Sequence, residues 1–240
     1  MTAQAEVEAT IVVPCFNEEH FLSQTLDCIR VAAVGAGMTY EVLVIDDQSR
    51  DRTFEVAQAY QSAHPEMPLI IRRNERNRGL SRTFCDGAFI GRGHFFRLVC
   101  GDNSESAESL RKVFDLRGKA DIVVPFHPTV PGKSFVRRAI SKTYTRLINV
   151  ISGYDLKYYN GCPLFYRYDV MRWGSYSFGF GFQADLLTRL LDEGRTYIEV
   201  PLDVFHHEND AGASAFRIRN VLSVMHTLSE LIVRRMRRHV

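Results

Sequence analysis

The chain lacks the short motifs that mark several large enzyme classes. No G-x-G-x-x-G follows the first predicted strand, and neither G-x-x-x-x-G-K-[ST] nor G-x-S-x-G occurs. The first two motifs bind dinucleotides and nucleoside triphosphates through glycine-rich loops, and the third places a catalytic serine on a tight turn. The sequence therefore gives no support to a dinucleotide-dependent enzyme, a P-loop nucleotidase or an α/β-hydrolase.

Signals for disulfides, zinc sites and membrane spans are also missing. The five cysteines are odd in number and lie far apart, which indicates a reducing compartment rather than a disulfide framework or a zinc cluster. No uninterrupted apolar run approaches the roughly 20 residues that cross a bilayer. Met1–Glu8 has neither the basic start nor the apolar centre of a signal peptide. We expect a cytoplasmic protein, with any membrane contact peripheral on the inner leaflet.

The overall charge is nearly balanced. A formal net charge of +2, with 45% hydrophobic and 24% charged residues, is ordinary for a soluble globular protein and gives no reason to expect nucleic acid as a partner. The 240 residues are enough for one large domain. The basic residues are concentrated at one place, Arg234–His239.

Apolar, β-branched stretches alternate with helical periodicity along the chain. The expected strands are Ala9–Val13, Glu41–Ile45, Leu69–Arg72, Phe95–Val99, Asp121–Val124 and Thr196–Val200. The expected helices run from an Asn17 N-cap to Val34, over Asp51–Ala63, from Ser81, over Glu105–Phe114 after a Ser104 cap, and over Phe135–Ile151, Phe182–Leu191 and Phe216–Arg238. This alternation predicts an α/β fold with a doubly wound, mostly parallel sheet flanked by helices.

Acidic side chains follow two of the predicted strands. Asp46 and Asp47 come at the end of Glu41–Ile45, and Asp102 comes shortly after Phe95–Val99. Open α/β sheets bind their ligands at this carboxyl edge. Carboxylates that crowd there repel one another unless a cation or a hydrogen-bond donor of a ligand pairs with them. A site for a nucleotide with a divalent metal is the interpretation that explains both runs.

Three motifs occur in a fixed order at the ends of these strands: Pro14-Cys15-Phe16-Asn17-Glu18, the run from Asp46 to Thr53, and Asn77-Arg78-Gly79. They resemble the donor motifs of family 2 glycosyltransferases with the GT-A fold, especially the dolichyl-phosphate mannose synthase-like branch. The resemblance implies a nucleotide-diphospho-sugar donor. The correspondence covers residues 9–215, which we interpret as one GT-A domain. We expect a flexible segment 1–8 before it and an amphipathic basic helix over 216–240 after it. The implied donor-binding residues are Pro14, Cys15, Phe16, Asn17, Glu18, Asp46, Asp47, Asn77, Gly79, Gly101 and Asp102. For Ser49, Asp51 and Thr53, turn and helix-cap bonds are the favoured interpretation.

The metal motif departs from the family pattern. Members usually present Asp-x-Asp after the fourth strand, whereas this chain has Cys100-Gly101-Asp102. A hard cation does not select a thiol. We therefore expect Mg²⁺ or Mn²⁺ to be held by Asp102, helped by Asn103, with the donor diphosphate. A degenerate site that binds without catalysis is the alternative.

On the acceptor side, the resemblance points to Tyr159, Asn160 and Gln183 near the transferred sugar, and to Arg137, Arg138 and Ser141 as an Arg-x-x-x-Ser type phosphate site. Asp185 is the candidate general base if the acceptor is a hydroxyl, while an ionised phosphate acceptor needs none. His207 stands where relatives carry an arginine and Ala215 where they carry a lysine, with Arg217 as a compensating cation. The predicted catalytic residues are Asp102 and Asp185.

The sequence thus predicts a metal-dependent, inverting hexosyltransferase that uses a UDP- or GDP-sugar. Its acceptor would be membrane-associated, either a polyprenyl phosphate or a glycolipid. Two alternatives are a polysaccharide or O-antigen transferase acting on a hydroxyl, and a non-catalytic nucleotide-sugar-binding protein. The apolar stripe and terminal arginines of the last helix fit either packing, including a homodimer, or an anionic membrane surface.

Overall fold

A computed structural model describes residues 6–128, 135–173, 181–205 and 218–237. Seven strands form one sheet: β1 (Ala9–Cys15), β2 (Tyr40–Asp46), β3 (Leu69–Arg73), β4 (Phe95–Leu98), β5 (Ile122–Phe126), β6 (Leu164–Tyr166) and β7 (Tyr197–Pro201). The helices are α1 (Leu22–Gly35), α2 (Thr53–Ala63), α3 (Leu80–Ile90), α4 (Ala107–Asp115), α5 (Phe135–Ser152), α6 (Arg167–Arg172), α7 (Phe182–Asp192) and α8 (Ile218–Arg237).

The strand order across the sheet is β3-β2-β1-β4-β6-β5-β7. All neighbouring strands run parallel except β6, which is antiparallel to both β4 and β5. The sheet is mostly parallel, as the sequence predicts. Because β6 runs the opposite way, its first residue, Leu164, lies level with Arg97 near the end of β4.

Alternating side chains of the central strands supply two cores, one on each face of the sheet. Ile11 and Val13 pack with α1 and α4 on one face, while Val12 packs with α3 and α7 on the other. Both faces of β1 are therefore buried, which explains its continuous apolar run.

Several boundaries differ from the sequence expectations. Pro14 does not end β1, because the strand continues in register with β2 through Cys15. Asn17 does not cap α1, which begins only at Leu22, and Ser106 rather than Ser104 caps α4 by accepting a hydrogen bond from the Ser109 amide. The short helix α6 directly after β6 was not expected from the sequence.

Candidate active site

The loops after β1, β2 and β4 meet at the carboxyl edge of the sheet. β1 lies between β2 and β4, so the segments that begin at Phe16, Asp47 and Val99 are neighbours. Among the described residues, four non-glycine residues have positive φ, and all belong to segments at this edge: Asn17, Gln48, Asn103 and Cys162. Such conformations are uncommon for residues with a side chain, asparagine excepted, and they concentrate at functional sites.

The loops after β1 and β2 hold each other through bonds between side chains and backbone. The amide of Asn17 donates to Ser49 Oγ at 3.0 Å, and the amide of Glu18 donates to Thr53 Oγ1 at 2.7 Å. In return, the Arg50 amide donates to Asn17 Oδ1 at 2.8 Å. Ser49 and Thr53 thus have the loop-supporting role favoured from the sequence, and so does Asp51, which accepts from the amides of Glu19 and Thr53. The two loops therefore brace each other. We call this carboxyl edge of the sheet, with the loops after β1, β2 and β4, the predicted donor edge.

The carboxylate of Asp47 organises the Asn77-Arg78-Gly79 turn. It accepts from the backbone amides of Arg78 at 2.8 Å and Gly79 at 2.7 Å, and from Asn74 Nδ2 at 2.7 Å. Asn77 Nδ2 donates to the Asp47 carbonyl at 3.1 Å. Gly79 has a φ of +82° and precedes α3, so it provides the sharp turn for which glycine is suited.

Asp46 lies beneath the same loop and has no exposed surface. Its Oδ1 accepts from the Ser49 amide at 2.9 Å, and Arg73 Nε lies 3.0 Å from its Oδ2. Cys15 is likewise buried, and burial raises the pKa of its thiol well above the usual range. These two predicted donor-binding side chains therefore support the loops. Phe16 is 43% exposed and is available to a ligand, and Pro14 is half-buried.

Asp102 lies on the loop after β4. Its Oδ1 accepts from the Ser104 amide at 3.1 Å. The preceding Gly101 lies against the loop after β1: a Cβ there would be 3.0 Å from the sulfur of Cys15 and 3.3 Å from Cγ of Glu18. Thr25 of α1 fixes this loop from below, because its hydroxyl donates to the Gly101 carbonyl at 3.1 Å and accepts from the Asn103 amide at 2.9 Å.

The oxygen ligands available at Asp102 fit a cation whose remaining ligands come from a substrate. Within residues 6–128, 135–173, 181–205 and 218–237, no three His, Cys, Asp or Glu side chains cluster as a metal site. A hydrogen bond with Cys162 and burial raise the pKa of the Cys100 thiol well above its ordinary value, so this residue is not a ligand for a hard ion. The Asn103 amide oxygen lies 3.7 Å from Cys28 Sγ and would have to leave that contact to join Asp102. One carboxylate with phosphate oxygens and water is a common arrangement for Mg²⁺.

The predicted acceptor residues are divided between the protein core and the site. Tyr159 is completely buried and donates to Asn149 Oδ1 at 2.7 Å, so it belongs to the core. Ser141 is hydrogen-bonded to Tyr158, whose pKa is raised by burial. Asn160 Oδ1 is buried and accepts no hydrogen bond from the described part of the chain. Arg138 is exposed on α5.

Gln183 and Asp185 lie in the first turn of α7. Gln183 Oε1 accepts from the Cys162 amide at 2.9 Å, which attaches α7 to the segment before β6. Asp185 receives one guanidinium group on each oxygen: Arg189 Nε at 2.9 Å and Arg234 Nη1 at 3.0 Å. Arg234 comes from α8 and also lies 3.3 Å from Asp192. Asp185, the predicted general base, therefore lies at the centre of a cluster of ion pairs that attaches α8 to α7.

Three predicted acceptor contacts lie outside what the structure describes. They are His207, Arg217 and the side chain of Arg137.

Sequence reasoning missed Arg97, Glu105, Arg189 and Arg234 among the residues around the site. Arg97 carried a signal, because a charged residue within the apolar run Phe95–Val99 must be buried and partnered. The pairing of Arg234 with Asp185 carried none, since it depends on how α8 packs on α7.

Comparison with known proteins identifies the family to which this arrangement of loops belongs. The family model described as glycosyl transferase family 2 matches residues 10–174. This chain belongs to that family.

Two curated relatives carry names of lipid-phosphate sugar transferases. The chain is 29% identical over 141 residues to a dolichol-phosphate mannosyltransferase of Pyrococcus furiosus, covering 57% of the chain and 39% of the relative. It is 27% identical over 223 residues to an undecaprenyl-phosphate 4-deoxy-4-formamido-L-arabinose transferase of Shewanella sediminis, covering 91% and 65%. The chain thus spans less than two thirds of the length of either protein.

Among solved structures, the chain resembles a mannosyltransferase of Pyrobaculum calidifontis in complex with GDP-Man and Mn²⁺. The TM-score is 0.70 at 17% identity, over 94% of this chain and 64% of that one. This likeness confirms the predicted GT-A fold.

Proposed function

We propose that this chain transfers a hexose-type sugar from a UDP- or GDP-sugar to a polyprenyl phosphate, with inversion at the anomeric carbon and with Mg²⁺ or Mn²⁺. The observation that carries the proposal is the braced donor edge, where Asp102 stands next to two interlocked loops in a member of family 2. The names of both relatives specify a polyprenyl-type phosphate, and the Pyrobaculum structure contains GDP-Man with Mn²⁺.

Asp102 is the residue that we propose to hold the cation and, through it, the diphosphate of the donor. A divalent ion there would neutralise the charge that develops on the leaving diphosphate. The rigid loops around Asn17 and Asp47 then hold the nucleotide end of the donor still, so that one face of the sugar remains open for the acceptor. Attack from that open face inverts the configuration.

The ion cluster at Asp185 favours a phosphate acceptor over a hydroxyl acceptor. A general base must be free to take a proton from the attacking group. Each oxygen of Asp185 already accepts a hydrogen bond from a guanidinium group, at 2.9 and 3.0 Å, so protonating it would disrupt the contact between α7 and α8. A phosphate is ionised before it attacks and requires no such base. Asp185 therefore serves as an orienting and docking residue in this proposal.

A membrane surface is the proposed location of the acceptor. No helix within the described ranges is both long and apolar enough to cross a bilayer. However, α5 leaves Phe135 77% and Val150 74% exposed, and Met236 of α8 is 66% exposed. Exposed basic residues lie on the same helices: Arg138, Lys142, Arg146 and Arg237. Apolar residues with flanking cations suit the headgroup region of an anionic leaflet.

The test is a nucleotide-release assay with purified chain, Mn²⁺ and a panel of UDP-glucose, UDP-N-acetylglucosamine and GDP-mannose. Undecaprenyl phosphate is the acceptor, and undecaprenol, which has a hydroxyl in place of the phosphate, is its matched control. We expect release with the phosphate and none with the alcohol. Release with the alcohol alone would favour the hydroxyl-acceptor alternative.

Asp102→Asn tests the metal site in the same preparation. The variant should bind the active nucleotide sugar much more weakly than wild type in Mn²⁺, and about equally in EDTA, because only the metal-linked contact is lost. Asp115→Asn, which removes a carboxylate exposed at the far end of α4, is the matched control and should bind as wild type does. Equal binding by all three proteins in both conditions would contradict the metal site. Metal-dependent binding without release from any donor would favour the non-catalytic alternative.

A further inference from the structure

Arg97 is the largest fully buried side chain of the described protein. It lies in β4, level with Ile11 of β1 and Leu164 of β6, where apolar residues otherwise surround it. A buried charge survives only with partners, and replacing a buried ion pair by apolar residues of similar volume is often neutral or stabilising. Stability alone therefore does not explain an arginine at this position.

The guanidinium group of Arg97 joins two segments that are far apart in the sequence. Its Nη2 donates to both carboxylate oxygens of Glu105, at 3.0 and 2.8 Å. Its Nε donates to the backbone carbonyl of Cys162 at 3.1 Å. One rigid planar group thus fixes Glu105 and Cys162 relative to each other, which a point charge such as lysine does not do.

Glu105 anchors the loop that carries Asp102. It stands three residues after Asp102 and forms a β-bridge with Val204, while the adjacent Ser104 carbonyl accepts from the Phe205 amide at 2.8 Å. Burial raises the pKa of the Glu105 carboxyl, and the Arg97 charge opposes that shift.

Cys162 belongs to the segment that the family resemblance places against the transferred sugar. Its φ of +52° is strained, and its amide is held by Gln183. The neighbouring Gly161 is pressed against β5, since a Cβ there would lie 2.0 Å from the Pro125 carbonyl oxygen. Contacts with Gln183, with β5 and with Arg97 therefore hold this segment in place. The contact with Arg97 also connects the segment, through Glu105, to the loop that carries Asp102.

We propose that Arg97 is a positioning residue that sets the separation between the Asp102 loop and the segment 160–162. It touches neither substrate. Its role, which rests on the transferase function proposed above, is to keep the donor diphosphate and the acceptor groups in one reactive geometry.

The central test is the double variant Arg97→Met/Glu105→Met, which removes both charges together and so leaves neither one buried alone. We expect a melting temperature close to that of wild type and Mn²⁺-dependent nucleotide binding within a few-fold. The value of kcat should fall by about 10²-fold, the effect of a misplacement near 1 Å. Arg97→Lys retains a positive charge beside Glu105 but loses the second hydrogen bond to the Cys162 carbonyl. Its kcat should fall by about tenfold, between the values of wild type and the double variant.

The matched control is Arg92→Met/Glu41→Met, which removes another ion pair with a buried glutamate (Nε to Oε2, 2.9 Å), at the opposite edge of the sheet. Its kcat should equal that of wild type.

Hydrogen exchange of the ligand-free proteins provides a readout that needs no turnover. In the Met/Met variant at Arg97 and Glu105, exchange should accelerate in residues 99–105 and 158–163 and stay unchanged in β1 and β2. Arg97→Lys gives the same comparison if the double variant does not fold. Wild-type kcat in these variants overturns the proposal, and so does unchanged exchange in both segments. If wild type turns over none of the donors, the proposed transferase function is wrong. The exchange data then still decide whether Arg97 links the two segments.

Discussion

Replacing Asp185 by asparagine should reduce stability clearly and turnover only slightly. The carboxylate accepts one charged hydrogen bond from Arg189 and one from Arg234, and an amide retains a single acceptor oxygen. One hydrogen bond to a charged group contributes about 1.5–3 kcal/mol, so we expect a loss of about 2 kcal/mol in the free energy of unfolding. For a chain of this size, that corresponds to a fall in melting temperature of about 4–8 °C.

Turnover separates an orienting residue from a general base. Loss of a base reduces kcat by about 10²–10⁴-fold, whereas loss of a docking contact should reduce it less than tenfold, roughly the effect of 1 kcal/mol. We would measure melting by circular dichroism and nucleotide release between pH 6 and 9. Arg234→Gln removes the same contact from the side of α8, together with the ion pair to Asp192, and should lower the melting temperature by at least as much.

Two results would refute this account of Asp185. One is a kcat reduced by 10²-fold or more in Asp185→Asn while the melting temperature is unchanged. The other is a wild-type kcat that falls with decreasing pH through a single group, with the dependence absent from the variant.

The remaining predictions concern the metal motif and the membrane. Cys100→Asp, which restores the usual acidic pair, should lower the melting temperature in EDTA because a half-buried carboxylate would lie close to Asp102 and Glu105. Mn²⁺ should recover more stability in this variant than in wild type, and an unchanged melting temperature in EDTA would contradict this. On phosphatidylglycerol liposomes, wild type should float at low salt and detach at high salt. Changing Arg138, Lys142 and Arg146 to Gln should release it, by about 1 kcal/mol per charge. Arg234→Gln should not, since Arg234 is turned toward Asp185. If wild type does not float even at low salt, the membrane proposal is wrong, and the exposed faces of α5 and α8 are packing or self-association surfaces.

Much of the fold was predictable because burial and periodicity determine it locally. The strand Glu41–Ile45 differs from β2 by one residue at each end, and the helices Phe135–Ile151 and Phe182–Leu191 each differ from α5 and α7 by one residue. The errors fall where tertiary contacts override local preference. Asn17, a good helix cap by composition, bonds to the Arg50 backbone instead, and the β2 partner extends β1 past Pro14.

The donor edge was predictable for a different reason. Its residues are consecutive and follow strand ends, so the topology alone brings them together. The contacts of the predicted acceptor residues were harder to anticipate, since they join α7, α8, β4 and the segment before β6 across long stretches of chain. The ion pairs of Asp185 with Arg234 and of Arg97 with Glu105 depend on the packing of these elements. No local pattern specifies them.

The left-handed backbone at Asn17, Gln48, Asn103 and Cys162 places local backbone strain at one edge of the described structure. At Gln48 and Cys162 this conformation costs on the order of 1 kcal/mol relative to a relaxed one, whereas asparagine adopts it more readily. Glycine would relieve this strain, although at Asn17 it would also remove the oxygen that accepts from the Arg50 amide. Every one of them lies in a segment that the sequence predicts to contact the donor or the acceptor. Substitutions that relieve this strain would thus alter the predicted donor edge and the segment before β6. Thermostability and turnover should therefore trade against each other at these four positions more than elsewhere in the described structure.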